Sequence, residues 1–132
     1  IDPKIIKIAS YTNNAGLKNK FTHKSYVKNS LCGDKIKMEF IIKNSKIKSV
    51  RYETDACILC EASASLLSRL IKNLNIKDQI KEIEEIKKFN KTINYSFPKK
   101  FRQFKKLLNK NNIKRINCVI LPMEALSKAF KN

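Results

Sequence analysis

Glycine and histidine are scarce in this chain, and their scarcity excludes several familiar kinds of active site. The only glycines are Gly16 and Gly33, so there is no glycine-rich loop of the kind that cradles phosphates. His23 is the only histidine, and no Ser-His-Asp or Cys-His arrangement for nucleophilic catalysis is evident. We expect the His23 side chain to be solvated rather than to bind a metal. No apolar run reaches the roughly 18 residues that a membrane-spanning helix needs.

Acidic residues are also few, because 29 Lys and Arg stand against 11 Asp and Glu, a formal net charge of +18. A domain this basic raises the question of nucleic-acid binding, for example around a structural zinc ion. However, the basic residues are mostly lysines spread over the whole chain, without a helix-turn-helix pattern or interleaved aromatic residues. We therefore expect nucleic acid not to be the main partner. A basic surface that helps to dock an acidic protein is the alternative.

Length and composition predict one globular domain over residues 1–132. At 132 residues with 42% hydrophobic residues, the chain is long enough to bury a core. The N-terminus enters a periodic helical pattern directly, so we expect no signal peptide and a cytoplasmic location. Four cysteines in such a chain are expected to be reduced. Metal or sulfur chemistry is then a better interpretation than a disulfide framework.

The hydrophobic pattern predicts an α+β fold with a small antiparallel three-stranded sheet packed by helices. Asp2 and Pro3 are typical of the cap and first turn of a helix. Alternation predicts strands over 22–29, 35–43 and 47–54, with Ile36, Met38, Phe40 and Ile42 on one face. Asn44-Ser45 between the last two strands predicts a hairpin turn.

The second half of the chain is predicted to be helical. Apolar spacing predicts helices over 62–74, 78–88 and 115–130, a further helix that begins at Pro98, and a polar loop over 90–97. Pro122 lies within the last of these patterns, so we expect it in the first turn or at a kink.

Three cysteines and one aspartate are the candidate ligands of a metal ion or a labile cluster. They are Cys32, Asp34, Cys57 and Cys118, far apart in the chain, so they can meet only after folding. Thiolate sulfur and carboxylate oxygen both bind zinc or iron. Gly33 permits a sharp turn with positive φ between the first two. A thiol near the start of a helix, as predicted for Cys57, is more reactive than an ordinary thiol.

The segments around these residues resemble the U-type iron–sulfur cluster scaffolds, the group of NifU N-terminal domains, IscU and SufU. Asn29-Ser30-Leu31-Cys32-Gly33-Asp34 is similar to the family's Asn-Pro-x-Cys-Gly-Asp turn. The segment 55–65, with Cys57 and Ala62-Ser63-Ala64-Ser65, resembles its Gly-Cys-x-x-x-x-Ala-Ser-x-Ser motif, although Ala56 replaces the glycine. The segment 115–126, around Cys118, resembles the ending of the SufU branch, which the long second gap also favours.

The resemblance implies a SufE/NifU-like fold and a scaffold or carrier function. Cys32, Cys57 and Cys118 would hold a transient iron–sulfur cluster, with Asp34 as a fourth and weaker ligand that eases release. Sulfur would come as persulfide from a cysteine desulfurase, and acceptor proteins would take the cluster. The second hypothesis is a zinc sulfurtransferase. The same four residues would bind Zn²⁺, and Cys118 would accept the persulfide sulfur.

Several neighbouring residues leave alternatives open. Cys60 lies outside the family pattern, and we interpret it first as a packed cysteine, then as an extra or exchanged ligand, then as a redox partner of Cys57. The serines of Ala62-Ser63-Ala64-Ser65 either cap the helix or donate hydrogen bonds to sulfur, and capping is favoured. Arg115 is the basic residue nearest the site in sequence and is expected to screen thiolate charge.

Overall fold

The structure, a computed structural model, describes residues 2–30, 32–89, 97–109, 111 and 113–131. Within these ranges the chain forms four α-helices and three strands. In chain order they are α1 (Pro3–Ala9), β1 (His23–Lys28), β2 (Lys35–Lys43), β3 (Lys46–Asp55), α2 (Ile58–Ile71), α3 (Ile76–Phe89) and α4 (Ile116–Ala129). Two 3₁₀ helices, Lys99–Leu107 and Ile113–Arg115, lie between α3 and α4.

The three strands form one antiparallel sheet in the order β1-β2-β3, as the alternation predicts. Asn44 and Ser45 connect β2 to β3 with φ values of 54° and 64°, the left-handed geometry that suits the twist of a tight hairpin. Ile36, Met38 and Phe40 are fully buried on the inner face. Ile42 is only half-buried, because a register shift between Ile41 and Ile42 breaks the alternation.

The helices cover the inner face of the sheet. Two of them position candidate ligands, Cys57 at the start of α2 and Cys118 in α4. α2 packs against α1, β3 and α4, and α4 packs against β1 and β2. α2 begins at Ile58, four residues before the expected start, and ends three residues early at Ile71. Ser63 and Ser65 are therefore inside the helix rather than at its start. None of the helices in the described ranges is long and apolar enough to cross a membrane.

The helix expected after Pro98 is a 3₁₀ helix rather than an α-helix. Pro98 caps it, and Phe101, Phe104 and Leu107 are fully buried. Residues three apart line up in a helix with three residues per turn, so this spacing buries one face of a 3₁₀ helix completely. The expected polar loop over 90–97 falls almost entirely outside the described residues.

Pro122 lies in the interior of α4, not in its first turn. Its missing N–H cannot bond to the carbonyl of Cys118, one helical turn earlier. The adjacent carbonyl, that of Val119, accepts a hydrogen bond from the Ser63 hydroxyl on α2. A hydrogen bond from outside the helix therefore supports α4 at the turn that the proline weakens.

Candidate metal centre

The connection between β1 and β2 carries Cys32 and Asp34. Gly33 has φ of +78°, the left-handed conformation expected for it, and a Cβ there would meet no atom within 4 Å. The Gly33 N–H donates to the carbonyl of Asn29, and the Asn29 N–H donates to the carbonyl of Asp34, each at 2.7 Å. These two backbone hydrogen bonds close the turn and bring both side chains to the same end of the sheet.

Cys57 is the N-cap residue of α2, where β3 passes into the helix, as predicted. Its N–H donates to Asp34 Oδ1 at 3.3 Å, which joins the second ligand segment to the first. Ala56, which replaces the family's glycine, is not among the residues with positive φ, so the alanine introduces no backbone strain here. The Cys57 side chain is half-buried.

Cys118 reaches the same region from α4. It is the third residue of the helix, close to the predicted position at the helix start, and its side chain is only 3% exposed. The bond from Ser63 to Val119 lies one residue further along. α2 therefore supports the first turns of α4 as well as carrying Cys57.

Three of the four predicted ligands converge in space. Cys32 Sγ, a carboxylate oxygen of Asp34 and Cys118 Sγ all lie within 4.8 Å of one another. Cys32 is exposed, whereas Asp34 and Cys118 are buried. Cys57 borders this group through its bond to Asp34 and stays a predicted ligand. The exposed thiol of Cys32 gives access to the two buried candidate ligands.

The titratable groups around the site influence one another's protonation. Burial, and then the neighbouring Cys57 and Asp34, raise the pKa of the Cys118 thiol above its usual value. The charges of Cys57 and Cys118 raise the pKa of Arg115, which is exposed. Arg115 is thus close enough to these sulfur atoms to interact with them electrostatically, and its role in screening thiolate charge stays a prediction. A bound metal ion would favour the deprotonated thiolates and displace their protons.

Cys60 is fully buried one helical turn after Cys57. Burial, and then the nearby Asp34 and Cys57, raise the pKa of its thiol, so Cys60 stays protonated. The group that converges within 4.8 Å does not include it. These observations support the interpretation of Cys60 as a packed cysteine next to the site.

The serines and the histidine take roles that the motifs did not predict. Ser63 donates to Val119 O, and the Ser65 hydroxyl lies 2.7 Å from Tyr11 O and 3.1 Å from Ile8 O. The preferred interpretation of these serines as caps is wrong, because they link helices to one another. His23 lies on the edge strand β1, half-buried, with its ring 4.3 Å from that of Phe130. It packs against an aromatic ring and is only partly solvated.

Sequence comparison shows which family the chain belongs to. The sequence model of the family described as "NifU-like N terminal domain" matches residues 2–132. The chain belongs to this family. A curated relative from Thermotoga maritima, named iron-sulfur cluster assembly scaffold protein IscU, is 27% identical over 127 residues, which cover 94% of this chain and 89% of the relative. The predicted membership is confirmed, while the SufU-like branch stays a prediction.

Solved structures show that the family's fold is shared. FiSufU from Fervidobacterium islandicum AW-1, described as a scaffold of the SUF system, superposes with a TM-score of 0.78 at 19% identity, covering 99% of this chain and 96% of that one. A nitrogen-fixing NifU-like protein (N-terminal) from Brucella abortus gives a TM-score of 0.80 at 17% identity, covering 97% and 90%. The predicted α+β fold of the NifU/SufU type is confirmed.

Proposed function

We propose that this protein is a scaffold on which an iron–sulfur cluster is assembled before transfer to acceptor proteins. The observation that carries the proposal is the approach of Cys32 Sγ, an Asp34 oxygen and Cys118 Sγ to within 4.8 Å of one another. Membership of the NifU-like N-terminal family and the scaffold function named for the Thermotoga relative support it. We propose Cys57, at the edge of the group, as the remaining ligand.

The chemistry of these residues suits a cargo that is held and then released. Thiolates are the usual ligands of iron–sulfur clusters. The Asp34 carboxylate is a harder ligand, and its Oδ1 already accepts the Cys57 N–H. A site with one oxygen ligand among sulfur ligands should bind the cluster less firmly than one with four thiolates. Asp34 thereby favours release.

Sulfur would be delivered as persulfide by a cysteine desulfurase. Cys118 is the predicted acceptor, yet it is 3% exposed, whereas Cys32 is exposed. For Cys118 to take the sulfur, its thiol must first become accessible to the partner. Arg115 lies at the exposed margin of the site and would stabilise the Cys118 thiolate. That thiolate would attack the outer sulfur of the desulfurase persulfide, forming the new S–S bond as the old S–S bond breaks and the desulfurase cysteine leaves as a thiolate.

The second candidate function is a zinc-dependent sulfurtransferase that accepts persulfide sulfur. The donor set favours it, because three thiolates and one carboxylate are a suitable tetrahedral set for Zn²⁺. In that case zinc would keep the thiolates deprotonated until a desulfurase binds. The same four residues serve both functions, so only the bound metal and its behaviour distinguish them.

Metal analysis of protein purified without oxygen tests both functions. Iron, sulfide and a brown colour after mixing with a desulfurase, cysteine and ferrous iron, lost in Cys32→Ala and Cys118→Ala, would support the scaffold. One tightly bound zinc in colourless protein, with faster desulfurase turnover, would support the sulfurtransferase. Protein that binds no metal and does not respond to a desulfurase would overturn both proposals. Cys60→Ala is the matched control, since it removes a thiol from beside the site.

A further inference from the structure

A second surface feature, away from the cysteines, is a groove beside the edge strand β1. Its volume is about 520 Å³, and Leu17, Phe21, Lys24, Tyr26, Lys37 and Lys128 are among the residues that line it. None of the candidate ligands lines this groove. Its chemistry is therefore separate from that of the metal centre.

The groove exposes aromatic surface. Phe21 is 37% exposed and Tyr26 is 43% exposed, and among the described residues only Ile6 and Tyr11 are other large hydrophobic side chains with such exposure. Two aromatic rings that share one concave site are typical of a surface that binds a partner.

Ammonium groups surround these rings. Lys24 Nζ lies 4.9 Å from the centroid of the Phe21 ring, and Lys37 Nζ lies 6.0 Å from that of Tyr26. Lys128 Nζ donates to the carbonyl of Tyr26 at 2.7 Å. The lining carboxylate, Glu39, is buried and accepts the backbone N–H groups of Lys18 and Asn19. The accessible charge of the groove is therefore positive.

The groove is held in shape before any partner arrives. Glu39 fixes the loop before β1 at Lys18 and Asn19, where Asn19 has φ of +58°. The Thr22 N–H bonds to Phe40 O at 2.8 Å, and its hydroxyl accepts the Ile42 N–H at 2.9 Å. A preformed wall reduces the entropy that binding costs.

We propose that this groove docks an acidic segment of a protein partner. An apolar side chain of the segment enters between Phe21 and Tyr26, and its carboxylates pair with Lys24, Lys37 and Lys128. Nucleic acid is disfavoured because the protein's own lysines already lie over the ring faces on which bases would stack. Pairing of a partner's strand with the edge of β1 is disfavoured because the Tyr26 carbonyl already accepts a hydrogen bond from Lys128 Nζ.

A defined probe tests this docking. It is a short fluorescein-labelled peptide in which Leu-Phe is flanked by glutamates, compared with one in which Ser-Ser replaces Leu-Phe. Fluorescence anisotropy on the full chain should show tighter binding of the Leu-Phe peptide. The Lys24→Glu/Lys37→Glu variant should weaken it about tenfold. Phe21→Ser should weaken it without changing the net charge.

The matched control is Lys7→Glu/Lys72→Glu, which reverses the charge at two exposed positions elsewhere and changes the net charge by the same amount. Equal weakening by both double variants would overturn the proposal, because it would reduce the effect to overall charge. Equal binding of both peptides would also overturn it. Binding of oligo(dT) or phosphatidylserine vesicles that is lost in Lys24→Glu/Lys37→Glu, with the peptide unbound, would reassign the groove to that ligand. Unchanged metal content in all variants would show that docking and the metal centre are separate.

Discussion

Asp34 and Cys57 are joined by a hydrogen bond from the Cys57 N–H to Asp34 Oδ1, 3.3 Å long. Asp34 is buried, and its Oδ2 has no hydrogen-bond partner among the described residues. Asp34 Oδ1 therefore positions the start of α2, and a carboxylate oxygen of the same residue lies within 4.8 Å of Cys32 Sγ and Cys118 Sγ. The candidate ligand Asp34 is also a positioning residue for the candidate ligand Cys57.

This hydrogen bond predicts different effects for two substitutions of Asp34. Asp34→Asn retains a side-chain oxygen that can accept the Cys57 N–H, whereas Asp34→Ala does not. Amide hydrogen exchange at Cys57 should be roughly fivefold faster in Asp34→Ala, as expected for loss of a hydrogen bond worth roughly 1 kcal/mol. Asp34→Asn should stay near the wild type. Equal exchange in all three proteins would contradict the positioning role.

Release of the bound metal or cluster should also depend on Asp34. Both Asp34→Ala and Asp34→Asn remove the charged oxygen ligand that we propose favours release. We therefore expect release to become several-fold slower in both variants. We expect the fold to persist. The measurement is the rate of transfer to a chelator or an acceptor protein. Unchanged release in both variants would mean that Asp34 does not promote it.

Cys57 and Cys60 should behave differently although both are thiols near the start of α2. Cys57→Ala should lower metal affinity by more than the roughly 10–100-fold typical of losing an outer-shell partner. Cys60→Ala should cost about 1 kcal/mol of stability and change metal affinity little, because its thiol is packed. Competition with a chromophoric chelator measures both affinities. A large loss in Cys60→Ala would mean that Cys60 has replaced an expected ligand.

The turn at Gly33 should tolerate asparagine better than alanine. Its φ of +78° costs an L-residue about 1 to 2 kcal/mol, and asparagine adopts this region more readily. A Cβ would meet no neighbour, so strain alone should decide the outcome. Urea unfolding should order the variants as wild type, Gly33→Asn, Gly33→Ala. Identical midpoints for the two variants would refute this account.

Substitutions of two buried serines on α2 should distinguish an effect on stability from an effect on the metal site. Ser63→Ala removes the bond to the Val119 carbonyl and should cost roughly 1 kcal/mol. Because that bond supports the turn of α4 after Cys118, metal affinity should fall roughly tenfold as well. Ser65→Ala removes contacts to Ile8 and Tyr11 and should lower thermal stability alone. A similar loss of affinity in both variants would show a general effect of destabilisation.

Much of the fold follows from local pattern. The sequence alternates through β2 and β3, and the burial of Ile36, Met38 and Phe40 follows that alternation directly. The start of α2 is harder to predict, because nothing local distinguishes residues 58–61 from the residues that follow them. The pattern also does not distinguish the 3₁₀ helix at Lys99–Leu107 from an α-helix, since Phe101, Phe104 and Leu107 fit either helical period approximately.

The sequence by itself determined the strands, the order of the candidate ligands, the left-handed glycine between Cys32 and Asp34, and the family. These properties depend on residue type, spacing and local backbone preference. Only the tertiary structure decided that Asp34 contacts Cys57, that Ser63 supports α4, that Cys60 is enclosed and that Phe21 and Tyr26 share one groove. None of these relationships follows from local backbone preference, because each depends on contacts between segments that meet only after folding.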